Sequence, residues 1–143
     1  GRAPYFEWFV GGLTNAAFNE VDRHVLSGHG DETAFISVGA AAFDATGEPK
    51  SFLEHSTRIS RKELLAQSAL YALMLQEAGV QRGSMVAMLL PHCIEQVCWI
   101  EAAKRIGAVY TCLPESISIA SLASRLFDAS AQLVITSQTK SPA

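Results

Sequence analysis

The sequence predicts an α/β fold: a layered, mostly parallel sheet with helices on both faces, preceded by an N-terminal helical arm and forming part of a larger domain. Three observations predict it. From about residue 58 onward, strand-like and helix-like runs alternate at intervals of roughly 20 to 25 residues, the rhythm of right-handed crossover units on a parallel sheet. The strand-like runs are apolar throughout rather than alternating, which suits strands covered on both sides. Each also ends in loop-forming residues: Pro91-His92, Pro114-Glu115-Ser116 and Ser137-Gln138.

Taken in order, the chain opens with an aromatic arm, Tyr5-Phe6-Glu7-Trp8-Phe9, and then an amphipathic helix from Asn15 to Leu26. Phe18, Val21, Val25 and Leu26 recur there at helical spacing, and Gly28-His29-Gly30 supplies a stop. A short strand, Ala34 to Val38, leads into a Gly/Ala/Pro-containing loop, GAAAFDATGEPK. Ser60-Arg61-Lys62-Glu63 is a capping-box pattern, a serine and a glutamate three residues apart that satisfy each other's free backbone donors at a helix start. The helix it opens runs to Gly79. Strands are expected over residues 84–90, 108–113 and 132–136, and helices over 93–105 and 118–130. These readings divide the chain into an arm and helix (1–30), a strand and variable loop (31–58), and the first βα units of a large domain (59–143).

In a parallel sheet all carboxyl ends lie at one edge, and ligands sit just beyond it. That edge is the expected site.

Composition narrows the functional classes. A chain of 143 residues can bury about two-thirds of its unfolded surface. The net charge is -3, with 11 basic residues scattered along the chain, so there is no stripe to neutralise a run of phosphates and no nucleic acid partner is expected. No apolar run approaches the ~20 residues that cross a bilayer, so no membrane partner is expected either. Cys93, Cys98 and Cys112 are odd in number and lie in apolar runs, which reads as reduced core thiols of a soluble cytoplasmic protein. Gly1 stands where a Met would begin, and a polar tail follows an apolar run at once. Both ends read as cut.

Reactive groups are few. No dinucleotide, Walker or nucleophile-elbow glycine motif occurs. His24, His29, His55 and His92 include no i, i+4 pair of metal-binding spacing, so no metal site is expected. Gly11-Gly12 reads as a turn. Asp22-Arg23-His24 cannot converge on one atom, because successive helical residues point about 100° apart; a solvated or interdomain face is the expectation. Lys104-Arg105 suits the negative end of a helix dipole, and Arg125 beside Asp128 suits an i, i+3 pair.

The runs WFVGGLTNAAFNEVDRHVL, GHGDETAFI, TRISRKELLAQ, GVQRGSMVAMLLP, EAAKRIGAVYT and SRLFDASAQLVITS, in that order, resemble the amino-terminal part of short-chain acyl-CoA synthetases of the adenylate-forming superfamily. Within that group TNAAFNE, DRHVL, GHGDETAF and EAAKRIG are most similar to propionyl-CoA synthase, a fusion whose first part is a 3-hydroxypropionate:CoA ligase.

The resemblance implies a reaction in which a small-molecule carboxylate attacks ATP, with Mg²⁺, to give an acyl-adenylate, and CoA then displaces AMP. In the fusion, hydratase and NADPH-dependent reductase parts act downstream. Two other readings stay open: a stand-alone acetyl- or propionyl-CoA synthetase, and a noncatalytic α/β binding module.

The family's Ser/Thr/Gly-rich phosphate loop, adenylate motif, ribose-binding aspartate and catalytic lysine have no counterpart in these residues. No catalytic residue is therefore expected here, and the piece alone is expected to be inactive without the remainder of the synthetase chain. A homo-oligomeric parent stays open. By resemblance, Pro114, Glu115 and Ser116 occupy the loop that lies against the nucleotide end of CoA, and Lys140 is a further CoA-binding candidate. Where relatives carry an aromatic and two glycines, this chain has a proline, an acid and a serine. A carboxylate there would repel a phosphate at short range, so either Glu115 points away or CoA sits differently. A plain strand-to-helix turn capped by Ser118 is the competing reading.

Overall fold

The computed structural model describes residues 9–38, 46 and 56–137. Most of the aromatic arm, most of the loop after Val38, and Lys140 lie outside the described residues.

The architecture is α/β. A hairpin of β1 (Thr33–Val38) and β2 (Ser56–Ser60) pairs antiparallel. It is followed by α1 (Arg61–Glu77), β3 (Met85–Leu89), α2 (Ile94–Ile106), β4 (Val109–Leu113), α3 (Ile119–Asp128) and β5 (Leu133–Thr136). The last three strands form a parallel sheet in the order β4-β3-β5. β2 is absent from the sequence reading, because STRIS carries an arginine and three hydroxyls and only Ile59 is buried. Its strand state comes from pairing with β1.

The strand order decides where the helices go. The chain steps from β3 outward to β4 through α2, then back across β3 to β5 through α3. Right-handed crossovers in opposite directions place α2 and α3 on opposite faces. One face carries the main core: Val86 and Met88 of β3, Ala72 and Leu75 of α1, and Ala102 and Ala103 of α2, with Tyr110, Leu133 and Ile135 packed against them. Tyr71 of α1 and Trp99 of α2 stack with ring centroids 4.0 Å apart, which adds to the burial of both rings.

Burial from both sides holds for β3 alone, where Val86, Ala87 and Met88 are fully covered. Val109 of β4 and Val134 of β5 stay 47% and 40% exposed. The reason is position: among the described residues each outer strand pairs only with β3. Edge position also corrects the reading of the cysteines as core. Cys98 is buried, Cys93 is intermediate and Cys112, on β4, is exposed.

Helix boundaries follow local chemistry. Ser60 accepts from the Glu63 amide while the Glu63 carboxylate accepts from the Ser60 amide at 2.8 Å, completing the capping box. α2 stops at Gly107, whose φ of 72° is left-handed, the conformation glycine adopts without strain. α3 starts at Ser118, which accepts from the Ser121 amide at 3.2 Å. The expected Arg125–Asp128 pair does not form; Asp128 instead takes the Ser124 hydroxyl at 3.5 Å, one turn back.

The N-terminal helix departs most from expectation. Its turns are π-helical over Phe18–Asp22 and Val25–His29. Wider turns rotate successive residues by less than an α-helix does, so the expected apolar face breaks up. Ala17 and Val21 are buried, while Phe18 is 48% and Leu26 76% exposed.

Charged groups hold this helix to the rest. Arg105 grips Asp22, Lys104 binds Glu20 at 2.6 Å and Glu101 at 2.8 Å, and Asn15 caps the end of α2 through the Arg105 carbonyl at 2.9 Å. Asp22 thus sits in an interface, and Lys104 and Arg105 do more than complement a dipole.

Candidate ligand-binding edge

Parallel register brings the ends of β3, β4 and β5 to one edge, with Leu89 level with Leu113 and Thr136. The turns that follow begin at Leu90, Pro114 and Ser137. Gln96 of α2 is buried and donates to the Leu90 carbonyl at 3.2 Å, tying the end of the central strand to the helix that follows it.

After β4, the Ile117 amide donates to the Pro114 carbonyl at 3.1 Å. Pro114, Glu115 and Ser116 ride on this turn, all exposed, and Ser118 caps the helix beyond. Glu115 is not free at the rim. The Ser137 hydroxyl donates to its Oε1 at 2.7 Å. Since β3 lies between β4 and β5, this bond links the turns after the two outer strands across the end of the middle one. Both residues are named by the sequence as loop-formers; their contact is not, because no local pattern couples positions 22 apart.

A separate cleft of about 340 Å³ opens between β1 and the start of α2, lined by Phe35, Ile36, Val38, His92, Cys93 and Val97 among others. Only His92 and Cys93, directly after β3, connect it with the edge. Burial raises the Cys93 thiol above its ordinary value, and the nearby Glu95 carboxylate adds to this, so Cys93 is not a primed nucleophile.

Among the described residues no group of three or more His, Cys, Asp or Glu could hold a metal ion. No chemical step is therefore assigned to a metal ion at these residues. No helix among the described residues is long and apolar enough to cross a membrane.

The AMP-binding enzyme family matches residues 23–143, and the chain belongs to that family. Its similarity to acetyl-coenzyme A synthetases extends over nearly all of its length. It is 38% identical to the one from Rhodopirellula baltica, over 95% of this chain and 19% of that protein. It is 39% identical to the one from Streptomyces avermitilis, over 93% of this chain and 19% of that protein. The fold is similar to the crystal structure of an acyl-CoA synthetase from Brucella canis, with a TM-score of 0.69 and 28% identity over 86% of this chain and 20% of that one. The chain thus spans about a fifth of the length of these relatives.

Proposed function

We propose that these residues open the large domain of an AMP-forming short-chain acyl-CoA synthetase and supply part of the rim that receives CoA. The carrying observation is the sheet itself: a β4-β3-β5 parallel arrangement with its turns at one edge, in a chain of the AMP-binding family. In this reading Pro114, Glu115 and Ser116 line the CoA path, Lys140 is a further CoA-binding candidate, and the parent acts in the cytoplasm on a carboxylate, ATP and CoA.

Surfaces left open on the sheet support a partner within a longer polypeptide. Val109 and Val134 on the sheet, with Ile119 (87% exposed) and Phe127 (83% exposed) on α3, form apolar surface of the kind that the rest of a synthetase would cover.

The finer reading is a 3-hydroxypropionate ligase within a propionyl-CoA synthase-like fusion, with hydratase and NADPH-dependent reductase parts after it. It is supported by the runs TNAAFNE, DRHVL, GHGDETAF and EAAKRIG. A second reading, a stand-alone acetyl-CoA synthetase, is favoured by identities of 38% and 39% to proteins of that name.

One assay separates them. The longer polypeptide that carries this segment is given ATP, CoA and, in turn, acetate, propionate or 3-hydroxypropionate, and AMP release is measured. Preference for 3-hydroxypropionate supports the fusion reading, and preference for acetate the stand-alone enzyme. No AMP with any acid leaves a binding module. The isolated 143 residues are expected to give no ATP–pyrophosphate exchange.

A further inference from the structure

α1 is apolar on two opposite sides. Leu64, Ala72 and Leu75 are buried, yet Leu70, Leu73 and Met74 stay 52%, 58% and 46% exposed. A helix that is apolar all round is normally covered all round, and here one side is left open. At 100° per residue, Lys62, Ala66, Leu70, Leu73 and Glu77 fall within one arc of about 80° on that side, and all five are exposed. Along the helix the stripe reads cation, small, large, large, acid, and from Lys62 to Glu77 it covers about 22 Å. Lys62 makes one exposed contact with Asp31, which leaves its ammonium two further protons to donate. Glu77 takes part in no salt bridge among the described residues.

We propose that this outer stripe is a self-association surface, on which a second copy of the chain packs its own α1 antiparallel. The two-fold axis crosses between Ala69 and Leu70, midway between Lys62 and Glu77. About that axis Lys62 lies opposite the partner's Glu77, Ala66 opposite the partner's Leu73, and Leu70 meets its own counterpart. Opposite charges then meet at both ends, and a small side chain faces a large one, which lets two helices interdigitate. A parallel pair would set Lys62 against Lys62 and Glu77 against Glu77, so the charges select the antiparallel orientation. A stripe that matches its own reversal is what a second copy supplies by symmetry; an unrelated surface has no reason to match it. One helix face is smaller than the about 800 Å² per partner of a stable complex, so the dimer is expected to dissociate on dilution.

Sedimentation of the longer polypeptide that carries this segment, across roughly 1 to 100 µM, is the test, and a monomer–dimer equilibrium is expected in that range. Leu70→Glu, an exposed position whose change leaves the core intact, is expected to weaken association about tenfold or more, because two like charges would meet on the axis. Lys62→Glu and Glu77→Lys are each expected to weaken it about three- to tenfold, since two symmetric exposed pairs are lost at once. The double swap K62E/E77K is expected to restore it to within about twofold. Restoration is decisive, because contact with any other surface would not be repaired by the second reversal. A polypeptide that stays monomeric at about 100 µM, or a dimer that L70E leaves intact, overturns the proposal; in the monomer, unfolding at lower urea in L70E would show that the same polypeptide covers the stripe. A dimer that the single reversals weaken and the swap does not restore overturns the antiparallel pairing.

Discussion

Arg105, in the last turn of α2, holds both oxygens of Asp22 from a single nitrogen, Nη1, at 3.0 and 2.9 Å. Its Nη2 donates to the Ser68 hydroxyl of α1 at 3.3 Å. One guanidinium thereby joins three helices. Asp22 is 15% and Arg105 23% exposed, so water competes poorly for either.

Asp22→Ala therefore costs more than a surface pair. It strands a half-buried cation whose Nε already lacks a partner, and the expected loss is about 1–3 kcal/mol. Urea unfolding monitors the loss. Early proteolytic cutting near residues 15–29 is expected to accompany it, because the N-terminal helix loses its principal anchor. Unfolding and cutting like those of the unsubstituted chain would show that Val21 and Asn15 suffice to hold it.

Glu101 sits beside this anchor and titrates unusually. Burial raises its carboxyl group above the ordinary range, and the hydrogen bond to Lys104 offsets this only in part. Burial lowers Lys104, but its hydrogen bonds to Glu101 and Glu20 outweigh that and leave it raised. The pair thus favours the ammonium more than the carboxylate. Depth explains the asymmetry: Glu101 is 5% exposed against 19% for Lys104, and Glu101 Oε2 is buried without a partner.

A carboxyl group raised in the folded state binds its proton more tightly there than when unfolded. Its contribution to stability is full below the ordinary value near 4.5 and is lost as pH rises through the folded-state value. Glu101→Gln should flatten stability against pH above 4.5 while costing little at neutral pH. Urea midpoints at several pH values test this. A slope as steep in the variant as in the unsubstituted chain would place the titrating group elsewhere.

Gly107 ends α2 with a φ of 72°, and a Cβ added there would stand 3.1 Å from the Arg82 side chain. Gly107→Ala is expected to cost about 1 kcal/mol from backbone conformation, with any shift of Arg82 added. The same alanine at Gly79, also left-handed at φ 85° but with nothing within 4 Å, should cost the conformational part only. Thermal unfolding of the two variants compares them. A larger loss at Gly79 would contradict the reading.

Local chemistry was enough, in the sequence, for what depends on neighbours along the chain. The Ser60–Glu63 box, the Ser118 cap, the end of the first long helix at Gly79 and the three apolar strand runs could all be read there. Parallel pairing was legible too, because helix-length connections between successive strands leave little alternative. The edge where the turns after the three strands meet was therefore predictable as a place.

Tertiary structure decided the rest. β2 exists because β1 offers it hydrogen bonds, and the apolar content of STRIS does not predict that. The N-terminal helix takes wide turns with Val21 inward and Phe18 outward, against α-helical periodicity. Glu115 meets Ser137 only because β4 and β5 flank β3. Sequence patterns report forces between residues a few positions apart, whereas ion pairs and hydrogen bonds act through space, and here they join positions 83 and 22 residues apart that only the folded chain brings together.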